Sequence, residues 1–278
     1  TTLWTGDAVA ASQGGDPEYF TLEPADREEA DAPPVDGTVF ADRTGLAVDG
    51  LLTFAGYTDD DRASSYARRA REHVCETLVD GGEVRHCDDP DSEAGLLADQ
   101  ARLLRGLTTS WQVLGEPGPA RAVADWTLQN LQADHGAFLD GRPGGSGLLD
   151  RPLVALDTNV DCADALLDLA LLTGEDHYRE AARETVDAFA NAAERMGVEV
   201  AGYATVAARL LEPVAIEVGA PAGTDLHRAA LRLADHETVV VPGADCEGAR
   251  VVEDGNVTGA ADTPAALEGA VTGTDGAE

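Results

Sequence analysis

The chain has 278 residues, enough for one large domain or a domain with an appendage. Its 52 acidic residues stand against 19 basic ones, a formal net charge of -33, which disfavours nucleic acid as a partner. No apolar run reaches the ~18 residues of a membrane-spanning helix, so no membrane partner is expected, and no signal peptide is visible.

Residues 1–40 are poorly periodic. The stretch EPADREEADAPPVDG within them is acidic and Pro-rich and reads as a connecting loop. From Asp42 a helical period appears: Leu46, Val48, Leu51, Leu52, Phe54 and Ala55 predict a helix ending near Tyr57-Thr58. The acidic run at 59–61 starts a second helix, which runs to about Val79 and stops at Gly81-Gly82. A second unit runs from Glu93 to Asp134, with its turn at Gly115–Pro119. A third runs from Asp157 to Met196, with its turn at Thr173–Asp176. The three turns, at Thr58, Gly115 and Gly174, lie 57 and 59 residues apart.

A period just under 60 is the mark of a repeated αα-hairpin. One hairpin cannot bury its apolar face alone, so neighbours must stack, into an α-solenoid or a closed toroid. Each unit ends in a glycine-led extended piece (Gly82-Glu-Val, Gly136-Ala-Phe, Gly197-Val-Glu-Val), which favours the toroid. A further helix over 202–211 follows. Strands at 214–219 and 237–242 then flank a helix at 224–234, which predicts a small βαβ unit with parallel strands. The expected organisation is an irregular segment over 1–40, repeats over 41–212, the βαβ unit over 213–245, and an acidic, frayed tail over 246–278 with a short helix near 264–270.

All 19 basic residues are Arg, and the acidic excess is spread along the whole chain. Such self-repulsion destabilises a compact domain in dilute salt. At 1 M salt, screening acts within about 3 Å. The balance reads as adaptation to a salt-rich cytoplasm, as in halophilic archaea. Four scattered cysteines form neither a disulfide framework nor a zinc pattern, which fits a reducing cytosol.

Three segments carry a family resemblance. TVFADRTGLAVDGLLTFA (38–55) resembles the WNGL helix of thioredoxin-domain proteins of unknown function. SEAGLLADQARLLRGL (92–107) resembles their "fLeDYA" helix, and LDTNVDCADALLDLALLTGEDHY (156–178) resembles their "PSGNS" segment. The resemblance implies a mainly α fold: αα-hairpin repeats forming part of an (α/α)6-type toroid like that of N-acylglucosamine 2-epimerases and six-hairpin glycosidases. It also implies a thioredoxin-like domain or partner upstream, and the first residue, Thr1 rather than Met, suggests a fragment or a processed product. Arg43 and Thr44 replace the Trp and Asn of WNGL, and Gln100 replaces the Tyr of "DYA". The thioredoxin cysteine motif is absent from this chain.

The inner helix ends of a toroid line a funnel, where sugar chemistry needs a carboxylate pair or a histidine with a carboxylate. The candidates are His86 and Asp99 as catalytic groups, with Asp42, Arg43, Gln100, Asp157 and Asn159 as ligand-binding ones. The expected ligand is a carbohydrate-like small molecule, to be bound or isomerised. The other expectation is a non-catalytic scaffold. His86-Cys87-Asp88-Asp89 has no partner at metal-ligand spacing, so no metal is expected. The segment Gly219–Gly223 lacks a phosphate-loop pattern, and no cofactor is expected. His135, His177 and His236 read as exposed.

Overall fold

Three helical hairpins follow one another along the chain. They are α1 (Ala41–Thr58) with α2 (Asp61–Leu78), α3 (Leu97–Leu114) with α4 (Ala120–Leu131), and α5 (Leu156–Thr173) with α6 (Asp176–Phe189). The computed structural model describes residues 19–30, 36–144, 151–191 and 201–272. The first helices stack side by side, α1 on α3 and α3 on α5, and each second helix packs on the outside of its own hairpin. Burial explains the layering. Outer α2 buries one stripe only, Ala63, Ala67, Ala70, Val74 and Leu78. Inner α3 buries several faces, including Leu97, Ala101, Leu103, Leu104, Leu107 and Ser110. A helix apolar on one side lies at the surface, whereas one closed in on several sides lies between layers.

The hairpins turn through left-handed residues: Asp59, Gly115 and Gly174. Asp59, rather than Thr58, is thus the equivalent of the two glycines. After α2 the chain forms a tight antiparallel hairpin, β1 (Val79–Asp80) and β2 (Glu83–Val84). After α4 a single bridge joins Gln132 to Phe138. Both returns press a glycine onto the next outer helix. A Cβ at Gly82 would sit 2.1 Å from the Ala122 carbonyl oxygen, and one at Gly136 would sit 2.7 Å from that of Glu184. The third return, Gly197-Val-Glu-Val, lies outside the described residues.

Helix α7 (Ala201–Leu211) packs on α5 and α6. It leads into a four-stranded sheet in which β3 (Val214–Val218), β4 (Thr238–Pro242), β5 (Ala249–Glu253) and β6 (Asn256–Ala261) stand in the order β4-β3-β5-β6. Strands β3 and β4 are parallel and joined by α8 (Asp225–Leu233), as the sequence predicts. Over 246–261 the chain departs from expectation: in place of a frayed tail it forms β5 and β6, with β5 antiparallel to β3, and α9 (Pro264–Thr272) is the short helix that the sequence predicts near 264–270. Asp254 and Gly255 both take positive φ, 44° and 77°, between β5 and β6. Two such residues make the tight turn that Asp-Gly favours in hairpins. Near the other end, Pro24–Glu29 is a short helix rather than a loop, with Pro at its first turn. Among the described residues no helix is long and apolar enough to cross a membrane.

The α1–α3 contact sets the geometry of the site. A Cβ at Gly45 would lie 2.4 Å from the Arg102 carbonyl oxygen, and one at Gly106 would lie 2.6 Å from that of Gly45. The two backbones therefore touch. Gly45→Ala or Gly106→Ala forces the helices apart and is expected to destabilise the fold by about 1–3 kcal/mol. The midpoint of guanidinium unfolding checks this. An unchanged midpoint would mean that the helices part without cost.

Candidate functional site

The Gly45 crossing brings the first turns of α1 and α3 together, and His86 arrives from the return segment between them. His86 is fixed by its backbone. Its carbonyl accepts from Ala41 N at 2.9 Å, and its N–H donates to the Glu93 carbonyl at 2.8 Å. Its ring meets the edge of Phe40, with centroids 5.2 Å apart. Nδ1 of the ring lies 3.0 Å from Asp99 Oδ2.

Asp99 is the third residue of α3 and is 1% exposed. Its Oδ1 accepts from the Asp42 backbone N–H at 3.2 Å. Burial pushes its carboxyl up to about 6, against the opposing pull of His86 and of the Asp42 N–H, and the charge of Asp42 adds to the rise. Asp42 Oδ2 accepts from Arg102 Nη1 at 3.0 Å. Asp42 Oδ1 is buried and receives no hydrogen bond from any described residue. Arg102 also faces Asp161 across 3.6 Å, and burial raises the Asp161 carboxyl too. Asp42, His86 and Asp99 each present a ligand atom within 4.8 Å of the others. The arrangement can move a proton between His86 and Asp99, accept hydroxyl hydrogens, or hold a cation.

The other candidates divide. Arg43 is exposed, its guanidinium 4.5 Å above the Phe40 ring, at the edge of the cluster. Asp157 is exposed at the start of α5, close enough for its charge to raise Asp161. Gln100 and Asn159 do not face the cluster. Gln100 is buried, accepts from Val84 N at 2.7 Å, and donates to the Gly82 carbonyl and to Thr127 Oγ1. Asn159 is buried and holds both the N–H and the carbonyl of Phe138, at 2.6 and 2.9 Å. Each is the fourth residue of an inner helix, and each clasps the preceding return segment. These amides are structural because they replace the pairing that the short return segments lack.

Of the run His86-Cys87-Asp88-Asp89, only His86 reaches the cluster. Asp88 accepts from Val39 N, and Asp89 from Asp91 N. The Gly223 N–H is taken by His227 Nδ1 at 3.1 Å, which leaves little of a phosphate cradle at 219–223. His227, unremarked in the sequence, is fully buried, with Nε2 2.8 Å from the Gln112 carbonyl oxygen. Arg102 and Asp161 were also not singled out. They occupy the same sixth position of α3 and α5, a column that aligning the repeats exposes.

Deeper along the inner helices runs a second charged row: Asp49, Arg105, Asp164, Arg209 and Asp168. It borders a cleft of about 200 Å³ beside β4. A larger cleft, about 390 Å³, lies between the α1–α2 turn and α8. Neither is lined by Asp42, His86 or Asp99. In the deep row two arginines pair with all three carboxylates, whereas the Asp42 cluster keeps an oxygen that no described residue satisfies.

No protein-family model and no curated protein matches the chain. Solved structures do. A family 76 glycoside hydrolase (mannosidase) from Bacteroides thetaiotaomicron is 13% identical with a TM-score of 0.50, over 65% of this chain and 55% of that one. An α-1,6-mannanase from Salegentibacter sp. is 16% identical with a TM-score of 0.48, over 54% and 47%. A family 105 glycoside hydrolase from C. acetobutylicum is 11% identical with a TM-score of 0.44, over 55% and 49%. The chain thus spans about half the length of the structures it matches. The likeness concerns the fold: mainly α, with hairpin repeats of the α/α toroid type and a small sheet.

Proposed function

We propose that the surface where the starts of α1 and α3 meet the return segment binds a carbohydrate-like small molecule. One observation carries this: the buried Asp99 is held between His86 and the start of α1, with Asp42, Arg102 and Asp161 beside it. A polyol needs acceptors and donors alternating at close spacing, and this cluster supplies both. The finer arm of the proposal is isomerisation or epimerisation by proton transfer at His86–Asp99. Carbohydrate-active neighbours of the same fold fit the proposal without naming a substrate. The thioredoxin-domain family and a salt-rich cytoplasm belong to it as well, supported by the three motif segments and by the net charge of -33.

A second reading, a scaffold for an upstream domain, is favoured by an apolar stripe on α1. Leu46 and Phe54, about two turns apart on that helix, are 46% and 52% exposed. One experiment separates the two. Mono- and disaccharides are titrated by calorimetry and saturation-transfer NMR in molar KCl. The binding proposal expects a saturable sugar signal that Arg102→Met weakens by about tenfold, the loss of one charge-assisted hydrogen bond. His86→Ala is expected to abolish turnover. The scaffold reading expects silence from every sugar, and such silence overturns the binding proposal.

A further inference from the structure

We propose that Asp42, His86 and Asp99 form a divalent-cation site. The donors come from three separate places: the first turn of α1, the return segment after β2, and the first turn of α3. Their separation suits an ion. His86 Nδ1 and Asp99 Oδ2 are 3.0 Å apart. Two ligands each about 2.1 Å from a cation and roughly at right angles to one another stand at that separation. The third donor has its own reason to point at a cation. Asp42 Oδ1 is buried and accepts from no described residue, although a buried carboxylate oxygen is costly to leave unpaired. A hydrogen bond from His86 to Asp99 leaves that oxygen as it is. A cation that Asp42 holds through Oδ1 satisfies it.

The surroundings fit. Arg102 grips the other oxygen of Asp42 and faces Asp161, so it orients a ligand without being one. Phe40 and His86 fix one another's rings, which sets the direction of the imidazole nitrogen. The His86 side chain is 38% exposed, which leaves coordination positions open to water or to hydroxyl groups. One imidazole with two carboxylates suits Mn²⁺, Zn²⁺ or Fe²⁺ better than Mg²⁺ or Ca²⁺. The inference shares the site of the proposed function and rests on that reading only for what enters from solution. A bound cation leaves the binding arm intact and occupies Nδ1, so the proton-transfer arm applies to the metal-free chain alone.

The test uses the whole chain, stripped with a chelator and returned to molar KCl, where screening over about 3 Å suppresses diffuse binding to the acidic surface. Mn²⁺ alone is titrated and followed by calorimetry and electron spin resonance, with no sugar present. One Mn²⁺ per chain is expected, with electron-nuclear modulation from the imidazole nitrogen. His86→Ala and Asp99→Asn are expected to weaken binding at least tenfold, and Asp89→Asn to leave it unchanged. Absence of nitrogen modulation in the unaltered chain overturns the proposal, and that readout does not depend on whether the variants fold. Equal Mn²⁺ binding by His86→Ala and the unaltered chain also overturns it. Because sugar is absent, a negative result here leaves the carbohydrate proposal standing, and the converse also holds.

Discussion

Replacing Arg209 with Met is expected to destabilise the fold by about 3–5 kcal/mol, the usual result of removing one partner from a buried ion pair. Arg209 is 4% exposed on α7. Its guanidinium holds Asp164 and Asp168 of α5, and its Nε donates to the Glu237 carbonyl at 3.2 Å. One side chain thus ties α7, α5 and the approach to β4. Burial raises the Asp168 carboxyl, and Arg209 is the foremost influence opposing that rise. The sign of the pH dependence follows. A carboxyl whose folded-state value is raised stabilises the fold at acid pH and loses that contribution as pH climbs through the raised value. Without Arg209 the rise is steeper. The deficit of Arg209→Met should therefore be largest at neutral pH and shrink as the solution is acidified. Guanidinium unfolding at a series of pH values reads this directly. The double variant Arg209→Met with Asp168→Leu should recover much of the loss at neutral pH, because no uncompensated charge remains at position 168. A single variant with a pH-independent deficit would mean that packing, not charge, is what Arg209 supplies.

The contrast between legible and illegible parts of this chain has a physical basis. The hairpins were readable because stacking leaves each helix a face to bury, and burial writes a 3.6-residue period into the sequence. The β5–β6 hairpin was missed because acidic, Gly- and Thr-rich composition outweighed the Asp254-Gly255 turn signal. The site was half readable. Asp42, His86 and Asp99 lie on three elements, yet each sits at the start of a helix or in the segment before one, which is where hairpin repeats converge. Asp161 is one of 52 acidic residues, among which any pairing with an arginine such as Arg102 could be chance. Only the shared repeat position distinguishes them. Gln100 and Asn159 were misread for a related reason. A buried amide near a helix start fits a ligand contact and a backbone clasp equally well, until its partners are seen.

Asn159 therefore offers the second large effect. Asn159→Ala leaves the Phe138 N–H and carbonyl without the side chain that pairs them, in a part of the fold with no solvent to substitute. Each unsatisfied buried backbone group costs about 1–3 kcal/mol, so a loss near 3 kcal/mol is expected for the two together. Two measurements distinguish the clasp from a ligand contact. The unfolding midpoint should fall, and amide exchange at Phe138 should speed up before exchange in the α5 core does, because the return segment opens locally. Gln100→Ala should behave in the same way at Val84, whose N–H it holds. A true ligand contact gives the opposite pattern, with stability preserved and binding lost. Asn159→Asp sharpens the distinction. It keeps the acceptor for Phe138 N but loses the donor to the Phe138 carbonyl and places a charge at a fully buried position. Its deficit should exceed that of Asn159→Ala at neutral pH and narrow in acid as the new carboxylate takes up a proton. If Asn159→Ala proved as stable as the parent chain, the return segment would have to find its pairing elsewhere, and the clasp would not be what fixes the third hairpin to the second.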